Sequence, residues 1–241
     1  MDKIKIFSKS QFSLLWWSGT ISSFGDWATL FGSVALASYL GTEAGNSELT
    51  AIVPLIARIV PALLSSFAGL IADRYDKKMI MIFCDVIRMI FVMFLFFADN
   101  LYSIFLINFL SEIFSLIRQP SREAVVPEIV NKENLVKANS LFAIGTYATL
   151  PVASLALGIV SDWNSLELIN ETGNGWSGSI IFLFDTFTFM ASAILLYFLK
   201  NQNKNTLNKK PDVSFKNFKD GLDYFFRTKD IRNISFSISF C

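Results

Sequence analysis

The chain has 241 residues, of which 53% are hydrophobic and 17% charged, against about 25% charged in ordinary soluble domains. Its mean hydropathy is +0.47 and its net charge +1, so it carries more apolar surface than a soluble core of this size hides, and nucleic acid is not an implied partner. Histidine is absent, and the two cysteines, Cys84 and Cys241, sit far apart inside apolar runs; histidine-based catalysis, most zinc sites and a disulfide framework are excluded.

The N-terminus is short and basic and leads into an apolar segment with no small-residue cleavage site, so the first helix reads as a retained span rather than a signal peptide. A bilayer core takes about 20 mostly apolar helical residues to cross. Six such stretches follow in order, at residues 12–40, 49–72, 79–98, 101–117, 138–160 and 178–199. The fourth is short and borrows from its flanks. The predicted fold is an all-α membrane protein with a six-helix bundle over 1–199. A polar, lysine- and asparagine-rich linker follows over 200–230, and a seventh apolar run over 231–241 is too short to cross as it stands. The expectation is therefore a fragment that does not transport by itself.

The basic residues segregate along this layout. Lys3, Lys5 and Lys9 precede the first span; Arg74, Lys77 and Lys78 join the second to the third; Arg118, Arg122, Lys132 and Lys137 join the fourth to the fifth. The segment after the sixth carries nine more, from Lys200 to Arg232, Arg58 and Arg88 lie within spans, and the alternate connections carry only acids such as Glu43, Asp99 and Asp162. By the positive-inside rule the N-terminus and the linker are cytoplasmic, and the protein is a multi-pass protein of the cell membrane. Trp16, Trp17 and Tyr102 fall near the predicted interfaces, where either an aromatic belt or ordinary packing accounts for them.

Charge within a span is costly, so it faces the bundle interior or a wet cavity. Asp26 in the first span lies beside Ser22, Ser23 and Gly25, which suits a close helix contact or a water-lined path. Arg58 in the second precedes Pro61 and either binds an anionic group or locks neighbouring helices. Asp85 and Arg88, three apart on the third span, are expected to form a structural ion pair with each other. Glu112 in the fourth is a candidate proton carrier, because burial favours the protonated form of a carboxyl group. Asp185 in the sixth is expected to snorkel towards water. No metal-ligating cluster and no catalytic constellation is present, so an enzyme is not expected, and no nucleotide-binding loop suggests ATP drive.

Between the second and third spans the chain reads Gly69, Leu70-Ile71-Ala72, Asp73-Arg74, Tyr75, Asp76, Lys77-Lys78. This resembles the signature loop of the major facilitator superfamily: a glycine, three residues, Asp-Arg and a short basic turn. Gly69 permits close helix approach. Asp76 departs from the pattern, standing where the family usually has a second glycine. The resemblance implies a gating role for Gly69, Asp73, Arg74, Asp76, Lys77 and Lys78, with Arg118 or Arg122 as the charge partner of Asp73. The segments from Ser22 to Trp27 and from Arg118 to Val130 look similar to one branch, the drug and siderophore exporters related to the enterobactin and macrolide efflux proteins. In that branch the second segment caps the cytoplasmic face with a short helix.

The resemblance further implies two six-helix halves, of which this chain supplies the first, built as two inverted three-helix repeats. Asp26 and Glu112 then fall on the first helix of each repeat, where the family lines its cavity. The implied function is secondary transport by alternating access: proton-coupled efflux of a small amphipathic molecule, with no cofactor beyond the proton gradient. The implied partners are the lipid bilayer, that substrate and a C-terminal six-helix half. A nutrient importer of the same fold, or a non-transporting scaffold or receptor remnant, would carry many of the same features.

Overall fold

A computed structural model describes residues 10–43, 47–62, 75–161 and 176–200. By its contacts the chain divides into Met1–Lys204 and Asn205–Cys241, and everything described belongs to the first unit. The expected linker and seventh run lie, but for Lys200, outside the described residues, as do Gly69, Asp73 and Arg74.

The described residues are helical, with no strand among them. In chain order the helices are α1 (Ser10–Glu43), α2 (Ser47–Thr50), α3 (Val53–Ala62), α4 (Lys77–Leu95), α5 (Leu101–Ile129), α6 (Leu135–Tyr147), α7 (Thr149–Ser161) and α8 (Ile180–Tyr197). Short 3₁₀ turns, Lys132–Asn134 and Ser177–Ser179, precede α6 and α8. Among the described residues, Leu101–Ile129, Lys132–Val160 and Ile180–Tyr197 are long and apolar enough to cross a membrane. The 34-residue α1 is long enough too, but carries seven serines, and α4 carries Lys77, Lys78, Asp85 and Arg88.

Two sequence expectations are corrected. The fourth run does not end at Ile117: α5 continues through Pro120 and Pro127 to Ile129, and the expected short helix of that connection is its last part. Each proline deletes only one backbone hydrogen bond, and Ser121 Oγ donates to the Ile117 carbonyl at 3.2 Å in the same stretch. The fifth run is two helices, broken at Ala148. Pro151 has no N–H to give the Tyr147 carbonyl four residues back, and Thr149 Oγ1 instead donates to the Thr146 carbonyl at 2.7 Å.

Asp76, the departure from the signature loop, has a local role. Its carboxylate accepts from Met79 N at 3.0 Å and caps α4, a task a glycine cannot perform with a side chain. The neighbouring lysines tie helix ends together. Lys77 pairs with Glu128 at the end of α5, and Lys78 Nζ donates to the Tyr197 carbonyl at 2.7 Å and lies 5.5 Å from its ring centroid. Lys200 N donates to Gln11 Oε1 at 2.6 Å. The starts of α1 and α4 and the ends of α5 and α8 therefore share one end of the bundle, the end where the basic connections were expected to meet.

α4 presents an apolar outer face and buries its two mid-helix charges among apolar residues. Met79, Phe83, Val86, Ile90 and Met93 are exposed at helical spacing, while Asp85 and Arg88 are buried. Water would drive the opposite arrangement, and a lipid exterior accounts for it. The interior has three levels. One apolar cluster, with Phe12, Met81, Val126, Phe142 and Leu196, lies at the basic end. Another, with Leu36, Val92, Ile104, Phe182 and Phe189, lies at the opposite end. Between them run the buried polar residues Ser18, Ser22, Asp85, Arg88, Arg118 and Ser192.

Candidate substrate cavity and charge cluster

α1 is the axis on which the polar level is built. Its small residues let other helices approach closely. A Cβ on Gly32 would press on Ile181 and Phe182, and one on Gly25 would overlap the Asp185 carboxylate and Thr188 Oγ1. α1 also holds α6 through two indoles. Trp16 Nε1 donates to the Leu141 carbonyl at 2.9 Å, and Trp27 Nε1 to the Thr146 carbonyl at 3.0 Å. On the far side of α1, Asn108 of α5 is buried and closes a pair with Ser33: Asn108 Nδ2 donates to Ser33 Oγ at 3.1 Å and to the Ile104 carbonyl at 2.9 Å.

The expected Asp85–Arg88 pair is corrected by the geometry. The ion-pair partner of Asp85 is Arg118 of α5, with Arg118 Nε 2.6 Å from Asp85 Oδ1, and the partner of Arg88 is Asp26 of α1. Both residues point into the bundle, and a fully buried charge takes the partner that can face it directly across a helix interface rather than one on its own helix. Ser192 Oγ donates to Asp85 Oδ2 at 2.6 Å, and Arg118 reaches Ser192 Oγ at 3.2 Å and Ser18 Oγ at 3.4 Å. Arg88 rests its guanidinium 4.3 Å above the Phe189 ring, a cation–π contact.

Arg58 donates to the Asp26 backbone carbonyl at 3.3 Å, which favours helix locking over a free anion site in this state. Glu112 is half-buried and feels Arg58 and Arg88 electrostatically, with no ion pair among the described residues. Asp185 does not snorkel. It is fully buried, with Thr29 and Thr188 donating to its carboxylate, because the bare backbone at Gly25 leaves it room against α1. Its surroundings were not foreseen: Thr29 and Thr188, like Ser18 and Ser192 beside Asp85 and Arg118, were not singled out from sequence. The signal available was the serine, threonine and glycine enrichment of α1 at three- and four-residue spacing.

A cavity of about 580 Å³ opens beside this cluster, lined from α1, α4, α5 and α6. Its polar wall includes Asp26, Arg88, Arg118, Arg122 and Glu123; its apolar wall includes Val126, Leu135, Phe142 and Ala143. Arg122 forms no ion pair among the described residues and packs 5.2 Å from the Phe142 ring. Of the residues singled out from sequence, the cavity gathers Asp26, Arg88, Arg118 and Arg122, and leaves Arg58, Glu112, Asp85, Asp76, Lys77 and Lys78 off its walls. The expected partner of Arg118 or Arg122, Asp73, lies outside the described residues.

The cavity is thus amphipathic, with a charged wall facing an apolar one. The chain is 29% identical over 143 residues to the lysophospholipid transporter LplT of Pectobacterium carotovorum, a match covering 59% of this chain and 34% of the relative. It is 26% identical over 160 residues to LplT of Cronobacter sakazakii, covering 66% of this chain and 39% of the relative. LplT of Escherichia coli gives 26% over 161 residues, 67% and 39%. These matches thus span well under half the length of the relatives. A match to the Major Facilitator Superfamily runs over residues 15–241, and the chain belongs to that superfamily of membrane transporters.

Proposed function

We propose that the chain is the first part of a secondary transporter that moves an amphiphile with an anionic head, of the lysophospholipid class, by alternating access. The observation that carries this reading is the cavity. It sets the guanidinium of Arg122, with no ion-pair partner among the described residues, against an apolar wall of Leu135, Phe142 and Ala143. A phosphate-headed, single-tailed lipid presents the complementary pair of surfaces. The names of the relatives support the same class.

The rest of the mechanism follows as proposal. Six spans form two inverted three-helix repeats, and a second six-helix part completes the cavity. The concentration of lysine and arginine at one end supports a cytoplasmic N-terminus. Gly69, Asp73, Arg74, Asp76, Lys77 and Lys78 gate the swing between states, and the lysine ties of α4 to α5 and α8 suit such a latch. Proton coupling draws on the acids around Arg88, with Asp26 on the cavity wall and Glu112 off it as the candidates. The direction proposed is export; drug or siderophore export and nutrient import are the competing outcomes.

The test is counterflow of labelled substrates in proteoliposomes carrying the full-length gene product. A lysophospholipid should exchange. Arg122→Ala should weaken its apparent affinity roughly ten- to a hundredfold, the worth of one charge-assisted hydrogen bond of about 1.5–3 kcal/mol. Arg122→Lys should recover part of that loss. Exchange of a cationic drug in place of lysophospholipid, or an Arg122→Ala variant equal to wild type, would refute the reading.

A further inference from the structure

Asp185 is enclosed at 0% exposure, and two threonine hydroxyls make three oxygen–oxygen contacts with it, two at the carboxyl group and one at the backbone carbonyl. Thr29 Oγ1 meets Oδ2; Thr188 Oγ1 lies 2.7 Å from Oδ1; the same Thr188 Oγ1 lies 2.9 Å from the Asp185 backbone carbonyl. Each contact takes one hydrogen, and each hydroxyl carries one. The two threonines supply two hydrogens for three contacts. Thr188 can donate to the carbonyl or to the carboxylate, not to both at once. All three contacts are satisfied together when Oδ1 carries a proton and donates it to Thr188 Oγ1, whose own hydrogen then goes to the backbone carbonyl.

The charges around Asp185 agree with this count. No lysine or arginine forms an ion pair with it among the described residues. Asp26 faces it from α1, and Arg88 from α4. Arg88 is already committed, paired with Asp26 and stacked on Phe189, while Asp85 of α4 is turned to Arg118 and Ser192. α7 and the 3₁₀ turn before α8 contribute no charged side chain, and α8 has none besides Asp185. An ionised Asp185 would be a second carboxylate drawing on one arginine and, unlike the half-buried Asp26, a fully enclosed one.

The geometry points to Asp185 as a proton-binding site: it holds a proton in this state, shared with Thr188, and releases it when Arg88 leaves Asp26 for α8. On release the O–H bond at Oδ1 breaks and its electron pair stays on the carboxylate. Asp185 lies off the walls of the cavity that Arg88 and Asp26 line, so the acceptor of the proton is solvent admitted by that movement of Arg88. That this proton drives transport rests on the proposed transporter reading; the hydrogen count does not.

Infrared difference spectroscopy of the purified protein in lipid nanodiscs, with and without deuterium exchange, tests the site directly. At neutral pH the wild type should show a protonated-carboxyl C=O band that Asp185→Asn loses. The amide keeps the shape and an N–H donor towards Thr188, so the variant should fold. Thr188→Val should keep the band and shift it to higher frequency, since the carboxyl proton loses its acceptor; this second variant decides the matter should Asp185→Asn fail to fold. A band indifferent to Asp185→Asn in folded protein, or unmoved by Thr188→Val, would overturn the proposal. A confirmed band in a protein that does not exchange lysophospholipid would leave the proton site standing and remove the substrate reading.

Discussion

Replacing Arg118 by methionine, with Asp85→Asn and the double variant alongside, separates the observed ion pair from the one suggested by sequence spacing. At a nitrogen–oxygen distance of 2.6 Å and an effective dielectric of about 20, the Coulomb attraction is roughly 6 kcal/mol. Desolvating the two ions costs several kcal/mol each, so the intact pair is close to balanced. Removing the arginine alone leaves Asp85 at 0% exposure with only the Ser192 hydroxyl for compensation, at a cost of about 3–5 kcal/mol. At about 2–4 °C per kcal/mol for a domain of this size, the melting temperature should fall by roughly 10 °C. Arg118→Met and Asp85→Asn should each show a loss of this order in detergent, followed by fluorescence-detected size exclusion on heating. The double variant should lose less than the sum of the two by about 1–3 kcal/mol. Additivity within about 0.5 kcal/mol, or a larger coupling in the parallel Asp85–Arg88 cycle, would refute the assignment.

Two smaller perturbations probe the same polar level. Gly25→Ala places a methyl group against the Asp185 carboxylate and Thr188 and should destabilise by about 1–3 kcal/mol, whereas Gly158→Ala, with nothing within 4 Å, should be neutral or slightly stabilising on the same thermal assay. Asn108→Ala leaves Ser33 without its partner across α1 and α5 and should cost about 1–3 kcal/mol, again read as a lowered melting temperature.

The apolar runs and the clustering of lysine and arginine were legible because each reports on a solvent boundary, and every residue in the run votes on it. Lys77, Lys78 and Lys200 accordingly meet at one end of the bundle. Ion-pair partners were not legible, because partner choice depends on which helices face each other. Asp85 and Arg88 are near neighbours in sequence, yet Arg118 and Asp26 reach them from α5 and α1. Asp185 was misjudged from its place near the start of α8, since depth along a helix says nothing of which face meets a glycine. The continuation of α5 past Pro120 was hidden for a related reason: a proline removes one bond locally, and the packing of a long helix on α3, α4 and α6 outweighs it. Arg122 was noted for its charge alone; its place beside Phe142 in the cavity wall comes from α6, a helix that sequence merged with α7.

The two indole bonds from α1 to α6 give the protein a built-in optical label. Tryptophan emission responds to the loss of an indole hydrogen bond and to the entry of water, and Trp16 and Trp27 stand on either side of the Phe142 and Ala143 wall. A motion that carries α1 and α6 together leaves both reporters dark to the event. A motion that parts them registers at whichever tryptophan lets go, and variants that keep Trp16 or Trp27 as the single tryptophan of the five read the order of opening along the cavity without a dye or an introduced cysteine.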